Sequence, residues 1–159
     1  MSSFKVFLGT LFGVGNLPKA PGTWGSLATL PLIYLAFWLS PQFGVLLLFI
    51  GSVFLSLWTS DATADKYGDD PAQFVLDEVA GQSLVFISIP FHFSIGPDLF
   101  FLLTGFILFR FFDIKKPLGI NKLQDLPGKY GVLTDDLLAG IYSVILLKLT
   151  EIWIYPLLF

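Results

Sequence analysis

The chain has 159 residues, 55% hydrophobic and only 13% charged, with a net charge of -3 and a mean hydropathy of +0.78. A soluble domain carries about 25% charged residues, so either a very large apolar interface or lipid must cover this surface, and the 18 phenylalanines favour lipid. Cysteine is absent, which excludes disulfides, thiolate nucleophiles and Cys-ligated metal, and no basic run offers nucleic acid a partner.

The length suits one helical membrane domain over residues 1–159. Residues 1–25 read as an irregular lead-in punctuated by glycine and proline, ending on Pro21, Gly22, Thr23, Trp24 and Gly25. No small-residue cleavage site follows, so this stretch does not read as a removable signal peptide. Apolar segments are expected at about 26–39 and 43–59, joined by a turn at Ser40, Pro41 and Gln42. A polar stretch then holds Asp61, Asp65, Lys66, Asp69, Asp70, Asp77 and Glu78. Further apolar segments follow at about 79–91 and 99–112, with a turn near His92, Pro97 and Asp98. A basic, Gly/Pro-containing loop over 113–134 precedes a last apolar stretch, 137–159, interrupted by Lys148 and Glu151.

The fold class is therefore all-α, a compact membrane-embedded bundle of about five apolar helices. A spanning helix needs about 20 apolar residues, so some of these segments must be half-buried, kinked at Pro31 or Pro90, or re-entrant. Of the nine basic residues, all but Lys148 fall at the N-terminus, after the second segment, or at and after the end of the fourth. The two short turns carry none. By the positive-inside rule, two hairpins point outward and the polar clusters gather at the cytoplasmic helix ends.

Two carboxylate pairs stand at those ends: Asp77 with Glu78, and Asp135 with Asp136. Acids in a first helical turn are favoured by the helix dipole, and Thr134 is a plausible N-cap, which would explain one pair without chemistry. Two pairs on one face are harder to explain so, because like charges beside lipid repel and resist desolvation unless a cation lies between them. Magnesium takes oxygen ligands of this kind and keeps waters for chemistry. Each pair is followed by Ala-Gly, at Ala80 and Gly81 and at Ala139 and Gly140, small residues that let membrane helices approach and bring the acids together. Asp61 and Asp65 could join them, though solvated loop charges explain them as well.

Arg110, Asp113, Lys115 and Lys116 form a third group. Basic residues often mark the membrane interface. Beside a metal site they also suit phosphate, which arginine clamps bidentately and lysine meets as a point charge. Thr23 and Ser26, in the glycine-rich approach to the first apolar helix, could cradle an anion at its start, although a capped tight turn accounts for them equally. His92 lies in an outward turn remote from the acids and reads as structural. Trp153 and Tyr155 suit an interfacial belt.

Taken in order, residues 21–28 (PGTWGSLA), 74–81 (FVLDEVAG), 109–117 (FRFFDIKKP) and 126–140 (LPGKYGVLTDDLLAG) resemble the bacterial phosphatidylglycerophosphatase A family across nearly the whole chain. The resemblance implies a magnesium-dependent phosphatase of the bacterial inner membrane. It would be multi-pass, with its site facing the cytoplasm, and would convert phosphatidylglycerophosphate to phosphatidylglycerol and phosphate. By position, Asp77, Glu78, Asp135 and Asp136 stand at the family's paired acids. Arg110, Asp113, Lys116 and Pro117 stand at its arginine–aspartate–lysine–proline motif, and Pro21, Gly22, Thr23, Gly25 and Ser26 at its Pro-Gly-Thr motif. Gly119 departs where a second proline is common, and Lys129 where a glycine is common.

The expected mechanism has Asp77, Glu78, Asp135 and Asp136 holding magnesium in some combination, with Arg110, Lys115 or Lys116 neutralising the phosphate and Asp113 orienting water or acting as base. Water or a carboxylate must be the nucleophile. Thr23 and Ser26 are expected at the substrate. The lipid's tails would stay in the bilayer. The rival is a small transporter using boundary carboxylates, but the middles of the apolar segments lack polar residues apart from Lys148 and Glu151.

Overall fold

The computed structural model describes residues 2–124 and 126–159, and every described regular element is helical. In order these are α1 (Ser2–Gly9), α2 (Pro21–Leu39), α3 (Gly44–Tyr67), α4 (Leu76–Phe86), α5 (Ile95–Lys115), α6 (Ile120–Leu123), α7 (Lys129–Trp153) and α8 (Tyr155–Leu158), with a short 3-10 turn at Val14–Asn16. Each of the five expected apolar segments contains a helix, although the third ends at Phe86, short of the expected 91. Part of the irregular lead-in is the helix α1 as well, and α3 continues through Asp61, Asp65 and Lys66, where a loop was expected.

Three helices, α2, α3 and α5, are long and apolar enough to cross a membrane. Their outward faces are apolar at helical spacing: Leu47, Ile50, Phe54 and Trp58 on α3, and Leu99, Leu103, Ile107, Phe111 and Ile114 on α5, are all exposed. Residues three and four apart share one side of a helix, so each series is a stripe that only lipid covers without cost. The protein is a membrane protein. The α2–α3 hairpin turns tightly, since a Cβ on Gly44 would stand 1.7 Å from the Ala36 carbonyl oxygen.

Helix α4 is different. Its 11 residues give about 16 Å of length, half of what a bilayer core needs. It runs through the middle of the bundle, touching α2, α3, α5 and α7, and nine of its residues are buried. On its buried side α3 offers small hydroxyl residues: Ser52, Ser56, Thr59, Ser60 and Thr63 are all buried, Thr63 against Gly9 of α1. The hydroxyls of Ser52, Thr59 and Thr63 bond back to their own helix, as Thr59 Oγ1 does to the Leu55 carbonyl at 2.7 Å, so close packing leaves these three satisfied. Ring packing fills the rest, with Phe86, Phe101 and Phe109 fully enclosed alongside Ile33 and Leu147. A short central helix thus carries its first turn, and the acids on it, to one end of the bundle.

Candidate active site

Four helix ends meet there. At the start of α2, Pro21 occupies the first turn after a left-handed Ala20, and Ser26 lies on the buried face. The first turn of α4 supplies Asp77 and Glu78. The last turns of α5 supply Arg110 and Asp113, and Lys116 caps that helix in the left-handed conformation at φ 45°. Asp135 and Asp136 lie two turns inside α7, which begins at Lys129 rather than near 137. Thr134 is therefore no N-cap: it sits inside the helix with its hydroxyl donated to the Tyr130 carbonyl at 2.6 Å. The run from Lys129 to Asp136 lacks an apolar face long enough to announce a helix, hence the misplaced start.

The expected close approach of the two acid-bearing helices is present. A Cβ added to Gly81 would stand 2.7 Å from the Asp136 carbonyl oxygen, and one on Gly140 would stand 2.6 Å from the Gly81 carbonyl oxygen. No larger residue fits at that crossing without moving backbone. Gly22 does the same for α2 and α4: its Cβ would fall 1.8 Å from Glu78 Oε1. A carboxylate of the protein itself occupies the close approach that the glycine-rich motif suggested for an anion.

Arg110 organises one half of the cluster. Its Nη1 donates to Glu78 Oε2 at 2.9 Å, reaches Asp113 Oδ2 at 2.7 Å, and donates to Ser26 Oγ at 3.3 Å. The Ser26 hydroxyl in turn donates to Glu78 Oε2 at 2.7 Å. All three contacts fall on Nη1; among the described residues Nη2 makes no hydrogen bond, and Nε is buried without a partner. Lys116 organises the other half by pairing its amine with Asp135 Oδ2. Two acids are left over. Asp77 and Asp136, 6% and 4% exposed, have no cationic partner among the described residues.

The electrostatics follow. Burial, and then the charge of Glu78, hold the Asp77 carboxyl well above the usual carboxylate range. Burial, and then Asp77, do the same to Asp136. Glu78 is pushed up to about 7 by burial, against the opposing pull of Arg110. Burial is the largest single influence on Lys116 and pulls it down, but the bond to Asp135 together with the charges of Asp135, Asp113 and Asp136 leaves it raised.

These residues, apart from the fully buried Ser26, line an open cleft of about 290 Å³, joined by Gly22, Asp70, Pro71 and Gln124. Asp70 and Gln124 were not anticipated at the site; nothing separates Asp70 from the other acids of its polar stretch until the fold brings it to the rim. Thr23 and Lys115 do not line the cleft, and both face a separate groove beyond Arg110. Asp61 stays outside too, bound at 2.8 Å to Lys129. His92 is remote, stacked on Tyr155 with ring centres 5.7 Å apart.

The donor set suits a hard divalent cation, being carboxylate oxygen throughout. Among the described residues, no three acidic or imidazole side chains are already gathered as a ligand set. Magnesium does not require three, since it commonly takes one or two carboxylates and completes its shell with water and substrate phosphate. Asp77 and Asp136, buried, mutually repelling and without a cation, fit that description.

Comparison with known proteins adds the family. Residues 7–151 match the profile of phosphatidylglycerophosphatase A. The chain belongs to that family. A Haemophilus influenzae phosphatidylglycerophosphatase A is 37% identical over 146 residues, spanning 89% of this chain and 85% of the relative. The Escherichia coli phosphatidylglycerophosphatase A is 32% identical over 134 residues, spanning 83% and 74%. A Bacteroides thetaiotaomicron protein provisionally named phosphatidylinositol-3-phosphatase is 35% identical over 158 residues, 96% of each chain. No solved structure matches. Family membership makes the chain a phosphatase, and its lipid-facing helices put it in the membrane with a lipid substrate.

Proposed function

We propose that this protein is a magnesium-dependent phosphatidylglycerophosphatase, releasing phosphate from the head group of a membrane lipid at the cytoplasmic surface. The observation that carries the reading is the pair of buried acids, Asp77 and Asp136, left without a cation beside Arg110 and Lys116.

Asp77 and Asp136 would hold the ion, which when bound supplies positive charge at the phosphate and a water of lowered pKa. Arg110 binds a phosphate oxygen through Nη2 while Glu78, Asp113 and Ser26 fix its Nη1, so the guanidinium is oriented before substrate arrives. Lys116, held by Asp135, sets a second positive charge at the cleft. Most of the catalytic stabilisation in phosphoryl transfer goes to charge on the equatorial oxygens, where these two cations stand ready. Water attacks phosphorus, the bond to the lipid oxygen breaks, and the proton that the water gives up is balanced by the one the lipid oxygen takes, leaving a lipid alcohol and inorganic phosphate. Asp113 serves here by holding Arg110.

The test is phosphate release by detergent-purified protein from phosphatidylglycerophosphate, with magnesium and with chelator, beside Asp136→Asn. Magnesium-dependent release that the variant loses supports the reading. Folded protein that releases nothing under any metal would sink it. One observation favours a second substrate: the relative named for phosphatidylinositol 3-phosphate aligns over 96% of this chain. Both lipids present a phosphomonoester on a glycerophospholipid, so the ratio of their kcat/KM values decides between them.

A further inference from the structure

Arg110 borders two cavities. On one side is the acid cleft. On the other, also about 290 Å³ and almost wholly apolar, is a shallow groove between Thr23 at the start of α2 and the last turns of α5, with Lys115 at its charged end. Its walls Ile107, Phe111 and Ile114 continue the exposed stripe begun by Leu99 and Leu103. The groove therefore opens on the face that α5 turns toward lipid and ends against the guanidinium that serves the cleft.

The two lysines at the end of α5 are consecutive but divided. Lys115 is the last helical residue and lines the groove, where it makes no ion pair among the described residues. Lys116 steps into the left-handed region and turns its amine to Asp135 in the cleft. A lipid whose head group carries a phosphodiester and, a glycerol further on, a phosphomonoester presents two anionic groups, one for the lysine of the groove and one for the lysine of the cleft.

We infer that this groove is the lateral access route of the substrate, an interpretation that rests on the lipid-phosphatase reading above. One acyl chain lies along Ile107, Phe111 and Ile114, Lys115 and Thr23 meet the phosphodiester, and the terminal phosphate passes Arg110 into the cleft. The acyl chain never leaves the bilayer, which matters because the cost of exposing it to water accumulates with every methylene. Other cavities lack one half of the requirement. An apolar cavity of about 270 Å³ between Leu11, Leu32, Leu55 and Val79 has no cation on its lining. The cavity beside the cleft is rimmed by Asp61, Asp69 and Asp70, and its one lysine, Lys129, is already paired with Asp61, so the net charge of its lining repels an anionic head group.

The cysteine-free chain allows single-site labelling. A fluorophore at Ile107→Cys, in an Asp136→Asn background that leaves substrate unhydrolysed, is expected to be quenched by phosphatidylglycerophosphate bearing a spin-labelled acyl chain. A fluorophore at Phe54→Cys, exposed on α3 and lining none of these cavities, is expected to be quenched less. In the active protein, Lys115→Gln is expected to raise KM for the lipid about tenfold with kcat retained, as loss of one charge-assisted contact made equally in ground and transition states. Equal quenching at the two positions, or a Lys115→Gln effect confined to kcat, overturns the groove. Selective quenching in a protein whose native form releases no phosphate leaves the groove standing and sinks the phosphatase reading instead.

Discussion

The two ends of the bundle each bury aspartate, and they treat it in opposite ways. At the end away from the cleft, Asp98 is 3% exposed and accepts three hydrogen bonds: from the His92 amide at 2.7 Å, the Ser94 amide at 3.1 Å and the Tyr34 hydroxyl at 3.1 Å. Both its oxygens are engaged, and the carboxylate ties the loop before α5 to α2. At the cleft end, Asp136 is as deeply buried, yet no side-chain hydrogen bond reaches its carboxylate among those described, and Asp77 accepts only the amide of its neighbour Glu78 at 2.9 Å. Burial alone therefore says little about a carboxylate's role. Asp98 has its acceptors filled by the fold, whereas Asp77 and Asp136 are buried and left short of protein partners, the arrangement expected of acids that act on a ligand.

That contrast breaks most sharply under substitution. Asp136→Asn, and separately Asp77→Asn, are expected to lower kcat by about a thousandfold or more, the scale of removing a group that acts on the reacting centre. Both should leave the helical circular dichroism and the melting temperature intact or raised, because a mutually repelling buried charge has been removed. Asp98→Ala should invert the pattern. It strands two amides and a hydroxyl, at a cost of about 1–3 kcal/mol for each group left unsatisfied, while activity per folded molecule is retained. If Asp98→Ala abolished turnover in folded protein, or Asp136→Asn merely destabilised, the division between the two ends would be wrong.

Gly22→Ala probes the same boundary from α2. The added Cβ meets the Glu78 carboxylate, the movable end of a side chain, so the fold can accommodate it by displacing that carboxylate from Arg110. A loss of about tenfold or more in kcat is expected from misplacing the guanidinium, with little change in melting temperature. Gly81→Ala meets backbone on α7 and the ring of Phe109, and should cost about 1–3 kcal/mol of stability as well.

How much of this was legible in the sequence depended on what announces itself locally. Charged residues in so apolar a chain are conspicuous, so Asp77, Glu78, Arg110, Asp113, Lys116, Asp135 and Asp136 were nameable beforehand and stand together. The crossing at Gly81 and Gly140 was readable from the small residues after each acid pair. The separation of Lys115 from Lys116 was not, because it turns on one left-handed backbone angle at the end of α5. Nor was the inward role of Ser26, which depends on how α2 lies against α4 and α5. Polar helix ends on α3 and α7 read as loops because their residues lack an apolar repeat, although the helices run through them.

Proton binding sharpens the comparison further. Glu78 is pushed up to about 7 from an ordinary 4.5, and Asp77 and Asp136 move the same way. Between the unfolded and folded values the folded protein holds more protons than the unfolded chain, so its stability falls as pH rises through that window. In chelator, the melting temperature should therefore drop between about pH 5 and pH 8. Magnesium should recover more of it at the higher pH, where protons no longer compete for the acids. A flat profile in chelator would mean the acids are compensated by something other than a bound cation.

The smallest effect is expected at one of the two residues that depart from the family pattern. Lys129 stands where the resemblance leads one to expect glycine, and its amine holds Asp61, itself 73% exposed. An ion pair so open to water gains little, because solvent and salt screen it and two long side chains must be held still. It spans α3 and α7 outside the cleft, and touches none of the groups that position Arg110 or Lys116. Lys129→Gly should therefore leave kcat and KM unchanged, with any small loss of melting temperature disappearing as salt is raised. A clear fall in turnover would show that the mouth formed by α3 and α7 takes part in admitting substrate, and would extend the working end of the bundle beyond the acid cluster.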